Sequence, residues 1–363
     1  MKSSQLWRWC VVGCFAMLSA TSVMAEMQQG KPDLKSAGPL TFGREGVLFV
    51  GDTASAALFA IDTKDQNTSG NKTVKLEKVD QQIAAMLGTT ADDILLNDVA
   101  VNPESGRVYL SVSLGRGPDA TPVILRTKAD GGLEVMSLED VSFDQVAIPN
   151  APAAGGSGRN DKRSQSITDL AFIDGKVIIA GLSNEEFESN LRSVRFPFSD
   201  ADDGTAVEIY HGAHGAYETR SPVRTFVPFM IDDQPHLLAA YTCTPLVKFP
   251  ISDLTKGEKV LGTTVAELGN RNRPIDMIVY KKEGKNYLLL ANNARGVMKI
   301  ATDDIQNVEP ITDRVDGGGT AGLKYDTIEG MTGVEQLDKL DEKHAIVLVS
   351  SEAGKDLQTV ELP

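Results

Sequence analysis

Only four histidines occur in the 363-residue chain, and two of them share a short stretch with a carboxylate: His211-Gly212-Ala213-His214-Gly215-Ala216-Tyr217-Glu218. Two imidazoles and an acid form a ligand set for Zn²⁺ or a similar metal. The spacing H-x₂-H-x₃-E is not that of a helical zinc site, and Gly212 and Gly215 argue for a loop. Arg220, two residues on, would offer a fixed planar fork to an anion. The plainer alternative is a loop whose imidazoles and Arg220 hydrogen-bond neighbouring elements. A second constellation is acidic. Asp98 in NDVAV, Asp169 in TDLAF and Asp276 in IDMIV each open a short apolar run. Gathered in one place, with Asn97, Thr168 and Glu329 beside them, these oxygens would suit a hard cation such as Ca²⁺. Alternatively, each carboxylate accepts backbone N–H bonds at a strand start. Cys243 is either a thiolate ligand or nucleophile, which needs a lowered pKa, or a buried apolar residue. The chain has no C-x-x-C-H haem attachment site and no G-x-S-x-G elbow. Gly317-Gly318-Gly319 lacks the lysine and strand–helix setting of a phosphate loop, so neither haem nor a nucleotide is expected.

The elements that must position these residues recur six times. One unit is a strand, a tight turn, a second strand, a polar loop and a third strand. It reads GPLTFGREGVLFVGD at 38–52, NDVAVNPESGRVYLSVS at 97–113, TDLAFIDGKVIIAGLS at 168–183, TFVPFMIDDQPHLLAAYT at 225–242, IDMIVYKKEGKNYLLLANN at 275–293 and EGMTGVEQLDKLDEKHAIVLVSS at 329–351. A repeat of roughly 50 residues implies a propeller or an array. The second strands are continuous apolar runs, such as Val47-Leu48-Phe49-Val50 and Tyr287-Leu288-Leu289-Leu290, which fits strands covered on both faces. The expectation is an all-β, six-bladed propeller. Fourth strands are expected at 73–76, 133–136, 206–209, 259–261 and 308–311. The sixth repeat ends at Pro363 after three strands, so the segment 27–37 is expected to supply its outer strand and close the ring. Val79 to Leu87 has helical spacing with Gly88 as a stop, and predicts a short helix capping a groove between blades. Residues 151–165, rich in Gly, Ala and Ser, read as a mobile loop.

In a propeller the loops leading into the innermost strands share one face of the disc with the loops between second and third strands. Nearly all the unusual sequence belongs to that face, and function concentrates on loops held by a rigid scaffold. It holds His211, His214, Glu218, Arg220, Cys243, Arg271, Arg273, Asn292, Asn293 and Arg295, while the turns of the opposite face are short. The acids Asp98, Asp169 and Asp276 would converge on the central channel, with Asn97 and Glu329 adjacent.

The first 25 residues carry Lys2 and Arg8, an apolar stretch from Trp9 to Ala20, and Val23-Met24-Ala25, the three parts of a secretory signal. Cleavage is expected after Ala25, with residues 26–363 forming a single domain. Val11-Val12-Gly13-Cys14 offers a lipoprotein box as the second alternative. The segment carries two of the 36 basic residues and none of the 50 acidic ones, so removing it leaves 34 − 50 = −16. It also takes two of the three cysteines, which leaves Cys243 without a disulfide partner. The acidic balance argues against nucleic acid and anionic lipid as partners. A periplasmic or secreted monomer is expected, with no membrane span after cleavage.

FGREGVLFVGD followed by ALFAIDT, and NDVAVNPESGRVYLS, resemble blades of the broad group of six-bladed propellers that includes gluconolactonase-like, strictosidine synthase-like and NHL-repeat proteins. In the lactonase-like members, acids and an Asn near the innermost strand starts hold a divalent cation in the channel. The resemblance implies that role for Asn97, Asp98, Asp169 and Asp276. Two classes of function follow. One is binding of a small molecule, a metal or an envelope protein on the loop-rich face, with no catalysis. The other is a metal-dependent hydrolase or lactonase with a cation in the channel. No complete catalytic constellation is legible, so catalytic residues are left unassigned.

Overall fold

The structure, a computed structural model, describes residues 27–66, 73–156, 158, 161–243 and 245–363. The expected signal segment and lipoprotein box lie outside the described residues. Six sheets, antiparallel except for one added outer strand, form six blades around a central channel. Numbered in chain order, their innermost strands are Leu40–Phe42, Ile94–Val101, Asp169–Ile173, Thr225–Ile231, Pro274–Lys282 and Val334–Lys339. No helix among the described residues is long and apolar enough to cross a membrane.

Strand periodicity explains why the blades stack. In Val47–Asp52 all six residues are buried. Alternate side chains leave a strand on opposite faces. Leu48 and Val50 pack with Ala100, Tyr109 and Ile124 of blade 2, while Val47 and Phe49 pack with Leu170, Val177 and Ile179 of blade 3. Blade 1 therefore sits between blades 2 and 3. Blade 2 turns its other face to Ile346 and Leu348 of blade 6. Blades 3 and 4, 4 and 5, and 5 and 6 pack as chain neighbours. Around the disc the order is 2-1-3-4-5-6.

This order requires two strands to be exchanged. After blade 1, the chain crosses to blade 6 and lays Lys75–Leu76 beside Gly354–Glu361. Leaving blade 2, it lays Val141–Ala147 along Ala57–Asp62 as the fourth strand of blade 1. The helix Val79–Leu87, ended by Gly88 in the left-handed region at φ 74, buries Val79, Ile83 and Ala84 between blades 6 and 2, against Leu357 and Ile94. It is the expected helix in the expected role.

The ring therefore closes, but not through 27–37. Gln28–Gly30 pairs with Val141–Ala147 at the outer edge of blade 1, and residues 75–76 close blade 6 instead. The expected fourth strands of blades 2 and 3 are present, as Leu133–Val135 and Thr205–His211. Lys259–Leu261 instead runs parallel to Thr205–His211 of blade 3. The fourth strand of blade 4 is Thr263–Leu268 and that of blade 5 is Tyr325–Thr327, not 308–311. These outer strands are short and partly polar, so their patterns do not name a partner.

Candidate functional site: an acidic channel beneath a basic vestibule

The innermost strand of each blade is an edge, with backbone N–H groups facing the channel. Asp98, Asp169 and Asp276 satisfy them in one repeated way. One carboxyl oxygen accepts the N–H of the following residue: Val99, Leu170 and Met277, at 2.7–2.8 Å. The other accepts an N–H from the next blade: Leu40, Phe226 and Leu337, at 2.7–2.8 Å. The acids belong to blades 2, 3 and 5, which alternate around the disc with blades 1, 4 and 6. That alternation has a physical reason. Each recipient strand must have a free N–H at that level, and an acid of its own would already occupy it. Asp338, absent from the sequence-based set, repeats the device one pleat deeper. It accepts from Lys339 at 2.7 Å and from Val101 of blade 2 at 2.6 Å. The backbone-capping alternative for these acids is what the structure shows.

The four carboxyls line a channel cavity of about 300 Å³. A water-sized sphere in the channel still touches them, yet they lie deep in the disc, and the depth governs their titration. Burial pushes Asp169 up to about 7 and Asp338 to about 6. Burial likewise holds Asp98 and Asp276 well above the usual carboxylate range, with their acidic neighbours adding to it. The channel acids are not among the described residues whose ligand atoms come together as a metal-binding group. Glu329 is not in the channel. Blade 6 begins at Val334, and Glu329 is exposed in the turn before it; Gln336 takes the register position of Asp98 and Asp276.

Directly above, residues that immediately precede the innermost strands line a vestibule of about 380 Å³. Pro39, Thr168, Arg224 and Arg273 hold that place in blades 1, 3, 4 and 5, and Asn97 and Gln336 complete the ring. Among the described residues no Asp or Glu lines it. Arg224 donates to Thr242 Oγ1 at 3.1 Å and Gln165 Oε1 at 3.0 Å. Burial, and then the like charge of Arg273, lowers its pKa. Among the described residues neither arginine has a carboxylate partner. Arg273 is held from below: its N–H donates to Asn293 Oδ1 at 2.6 Å. Asn292 donates to Asn272 Oδ1 at 2.9 Å and accepts from Ala294 and Arg295, while Arg295 donates to the Asn270 carbonyl at 3.1 Å. Asn292, Asn293 and Arg295 thus scaffold the loop that presents Arg273.

The end of the segment 27–37 lies here rather than at the ring seam. Buried Asp52 accepts from Lys35 N, Ser36 N, Ser36 Oγ and Ser55 N at 2.7–3.0 Å. This places Ser36 and Ala37 in the vestibule wall, where the Ala37 carbonyl accepts from Asn97 Nδ2 at 2.7 Å. On the far side, a side chain at Gly181 would collide with the Ser166 carbonyl. Its absence lets the end of the 151–165 loop settle on blade 3 and bring Ser164 and Gln165 to the vestibule.

His211, His214 and Glu218 lie elsewhere. His211 ends the fourth strand of blade 3, so three strands separate it from the channel edge. The three residues come together on the outer rim, where Gly212 N–H donates to Glu267 of blade 4 at 2.6 Å. Arg220 follows them in an exposed turn. Arg271 is exposed with φ 55, and Cys243 sits in a turn with φ 63, its N–H bonded to the Asn272 carbonyl. None of these lines the vestibule. The expected single top-face pocket is therefore two places: a vestibule that takes Arg273, and a rim cluster. Sequence reasoning missed Arg224, although it precedes the innermost strand of blade 4 just as Arg273 precedes that of blade 5.

No protein-family model matches the chain, and no curated protein matches its sequence. Among solved structures, it is similar to a glucose dehydrogenase at 12% identity and a TM-score of 0.38, over 93% of this chain and 98% of that one. It is also similar to the PQQ-bound aldose sugar dehydrogenase of Streptomyces coelicolor at 11% identity and a TM-score of 0.35, over 92% of this chain and 96% of that one. At these values the six-bladed fold rests on the strand pairing of the chain itself.

Proposed function

We propose that this is an exported, monomeric propeller that binds a small anionic, hydrogen-bonding ligand in the vestibule. The observation that carries the reading is the Arg224–Arg273 pair. Two guanidinium groups line a cup with no acid among its described residues, in a chain of formal charge −14. Holding two like charges together without a counterion is unfavourable, and an anion relieves it. A guanidinium fork matches a carboxylate or a phosphate equally well. Ser36, Thr53, Ser113, Ser164 and Gln165 add neutral donors and acceptors at the walls. The volume is in the range of small-molecule sites.

Calorimetric titration with citrate, inorganic phosphate and a neutral disaccharide tests this. One of the anions should bind, more weakly as salt rises, and the neutral sugar should not. Arg273→Ala should weaken binding by about 10–100-fold, the value of a charge-assisted hydrogen bond. Equal binding by an Arg224→Ala/Arg273→Ala protein would overturn the reading. Export is checked by N-terminal sequencing of the mature protein, which should begin at Glu26. Binding is favoured over cation-assisted hydrolysis in the channel because both oxygens of each channel acid already hold backbone N–H groups.

A further inference from the structure

The rim cluster has features that a hydrogen-bonded loop does not need. His214 Nδ1 lies 2.5 Å from Glu218 Oε1. His211 Nδ1 lies 3.1 Å from the same oxygen, but without the alignment of a hydrogen bond, so both nitrogens of a ring that is 2% exposed lack a partner. An imidazole buried that deeply with neither nitrogen satisfied is costly. The ligand atoms of His211, His214 and Glu218 all lie within 4.8 Å of one another, the one such group among the described residues. The two rings are 3.9 Å apart between centroids.

The surroundings orient these atoms. Ser221 Oγ donates to Glu218 Oε2 at 2.9 Å, which leaves Oε1 facing the two imidazoles. Fully buried Glu267 fixes the turn by accepting from Gly212 through Oε1, while its Oε2 is unpartnered. Glu267 of blade 4 lies directly against the turn that carries His211, so a second carboxylate stands beside the three ligands. Metal-bound histidines commonly have a carboxylate outside the first shell. Gly212 leaves room there, since a Cβ would press on Glu267 Cγ and Val315 Cγ2, each at 3.0 Å.

We propose that His211, His214 and Glu218 bind a divalent transition-metal ion of the Zn²⁺ class on the outer rim between blades 3 and 4. Imidazole nitrogens select this class over Ca²⁺, which prefers six or more oxygens. Three protein ligands leave a fourth tetrahedral position open to water or an incoming donor. The site is independent of the vestibule and does not rest on the anion reading.

The test uses untagged, full-length mature protein, stripped with a chelator and titrated with Zn²⁺ alone. Calorimetry and elemental analysis should give one ion per chain, and Zn²⁺ should raise the melting temperature. His214→Ala should abolish both effects and still fold, because that side chain is 54% exposed. Glu267→Gln, which keeps an acceptor for Gly212, should weaken Zn²⁺ by about 10–100-fold. Arg273→Ala should bind Zn²⁺ like the wild type, which separates this site from the vestibule. Wild-type protein that takes up no Zn²⁺, or His214→Ala and Glu218→Gln proteins that take up as much as the wild type, would overturn the proposal.

Discussion

The channel and the vestibule are stacked on the same axis and are built from adjacent residues, yet they handle charge in opposite ways. Asp169 belongs to the channel and Thr168 to the vestibule. In the channel, four acids are consumed by the fold, each bonded twice to backbone N–H groups. In the vestibule, two arginines have no carboxylate partner among the described residues. A charged side chain at a propeller's centre is therefore not evidence of a ligand by itself. What matters is whether the fold already engages it. The channel acids hold blades together, and the arginines are held in place by residues such as Asn293 and Gln165 while their charge remains uncompensated.

The sharpest way to break this comparison is to remove a stitch. Asp276→Ala strands the N–H groups of Met277 and Leu337 in a narrow channel. At about 1–3 kcal/mol for each unsatisfied donor, a loss of about 2–6 kcal/mol is expected in urea unfolding, with vestibule binding of the anion retained wherever the protein is folded. Thr225→Asp tests the alternation. Phe226 N–H is already given to Asp169 and Met277 N–H to Asp276, so the new acid meets no free donor and two like charges. It should destabilise by about 2 kcal/mol or more. A stabilised Thr225→Asp protein would show that alternation is accidental.

The vestibule should answer in the reverse sense. Arg224→Ala and Arg273→Ala should each leave stability within about 0.5–1 kcal/mol of the wild type, because no ion pair is broken, while the anion affinity falls by about 10–100-fold. Loss of folding with binding intact would invert the two assignments.

Titration separates the regions more gently. The channel acids have folded pKa values raised above their unfolded ones, so the folded state holds more protons between them. Their contribution to stability is full below about pH 4 and is lost as pH rises toward about 7, the value reached by Asp169. Glu218, where the two imidazoles outweigh burial and hold the carboxyl down at about 2, works in the opposite direction only at more acidic pH. Melting temperature should therefore rise on going from about pH 7 to pH 5. Relief of the chain's net negative charge adds to this slope. An Asp169→Asn/Asp338→Asn protein should show a shallower slope than the wild type, and an unchanged slope would assign it to net charge and to the remaining acids Asp98 and Asp276.

Much of this architecture is legible in the sequence, and the illegible part has a single cause. The six units, their inner strands, the helix Val79–Leu87 and three of the four stitching acids can be read from local pattern. Ring order cannot, because it depends on which blade faces which, and Leu48 and Phe49 look alike whichever neighbour they meet. The alternation of Asp98, Asp169 and Asp276 becomes visible only in the order 2-1-3-4-5-6. Asp338 was hidden because it sits one pleat deeper than its counterparts. Arg224 was hidden because a lone arginine before a strand carries no signal until the structure brings it beside Arg273 of the next blade. The rim cluster was legible as a ligand set, but its distance from the channel was not.

The smallest expected effect is also the finest test of how the two regions meet. Thr225 opens the innermost strand of blade 4, directly after Arg224, and its hydroxyl is buried with no hydrogen bond of ordinary geometry. That hydroxyl nevertheless lies toward Asp169 and favours its ionised form. Thr225→Val keeps the shape and removes only that dipole. Stability should change by less than about 0.5 kcal/mol, since no good hydrogen bond is lost. The Asp169 carboxyl should titrate at higher pH, because one of the few groups easing its charge is gone. Arg224, one residue away, should bind the anion as before. Carboxyl titration of the wild type and the valine variant by NMR, with anion binding measured in parallel, reads both. A drop in anion affinity together with the Asp169 shift would show that the acidic channel and the basic vestibule are electrostatically coupled, and that treating them as separate devices is wrong.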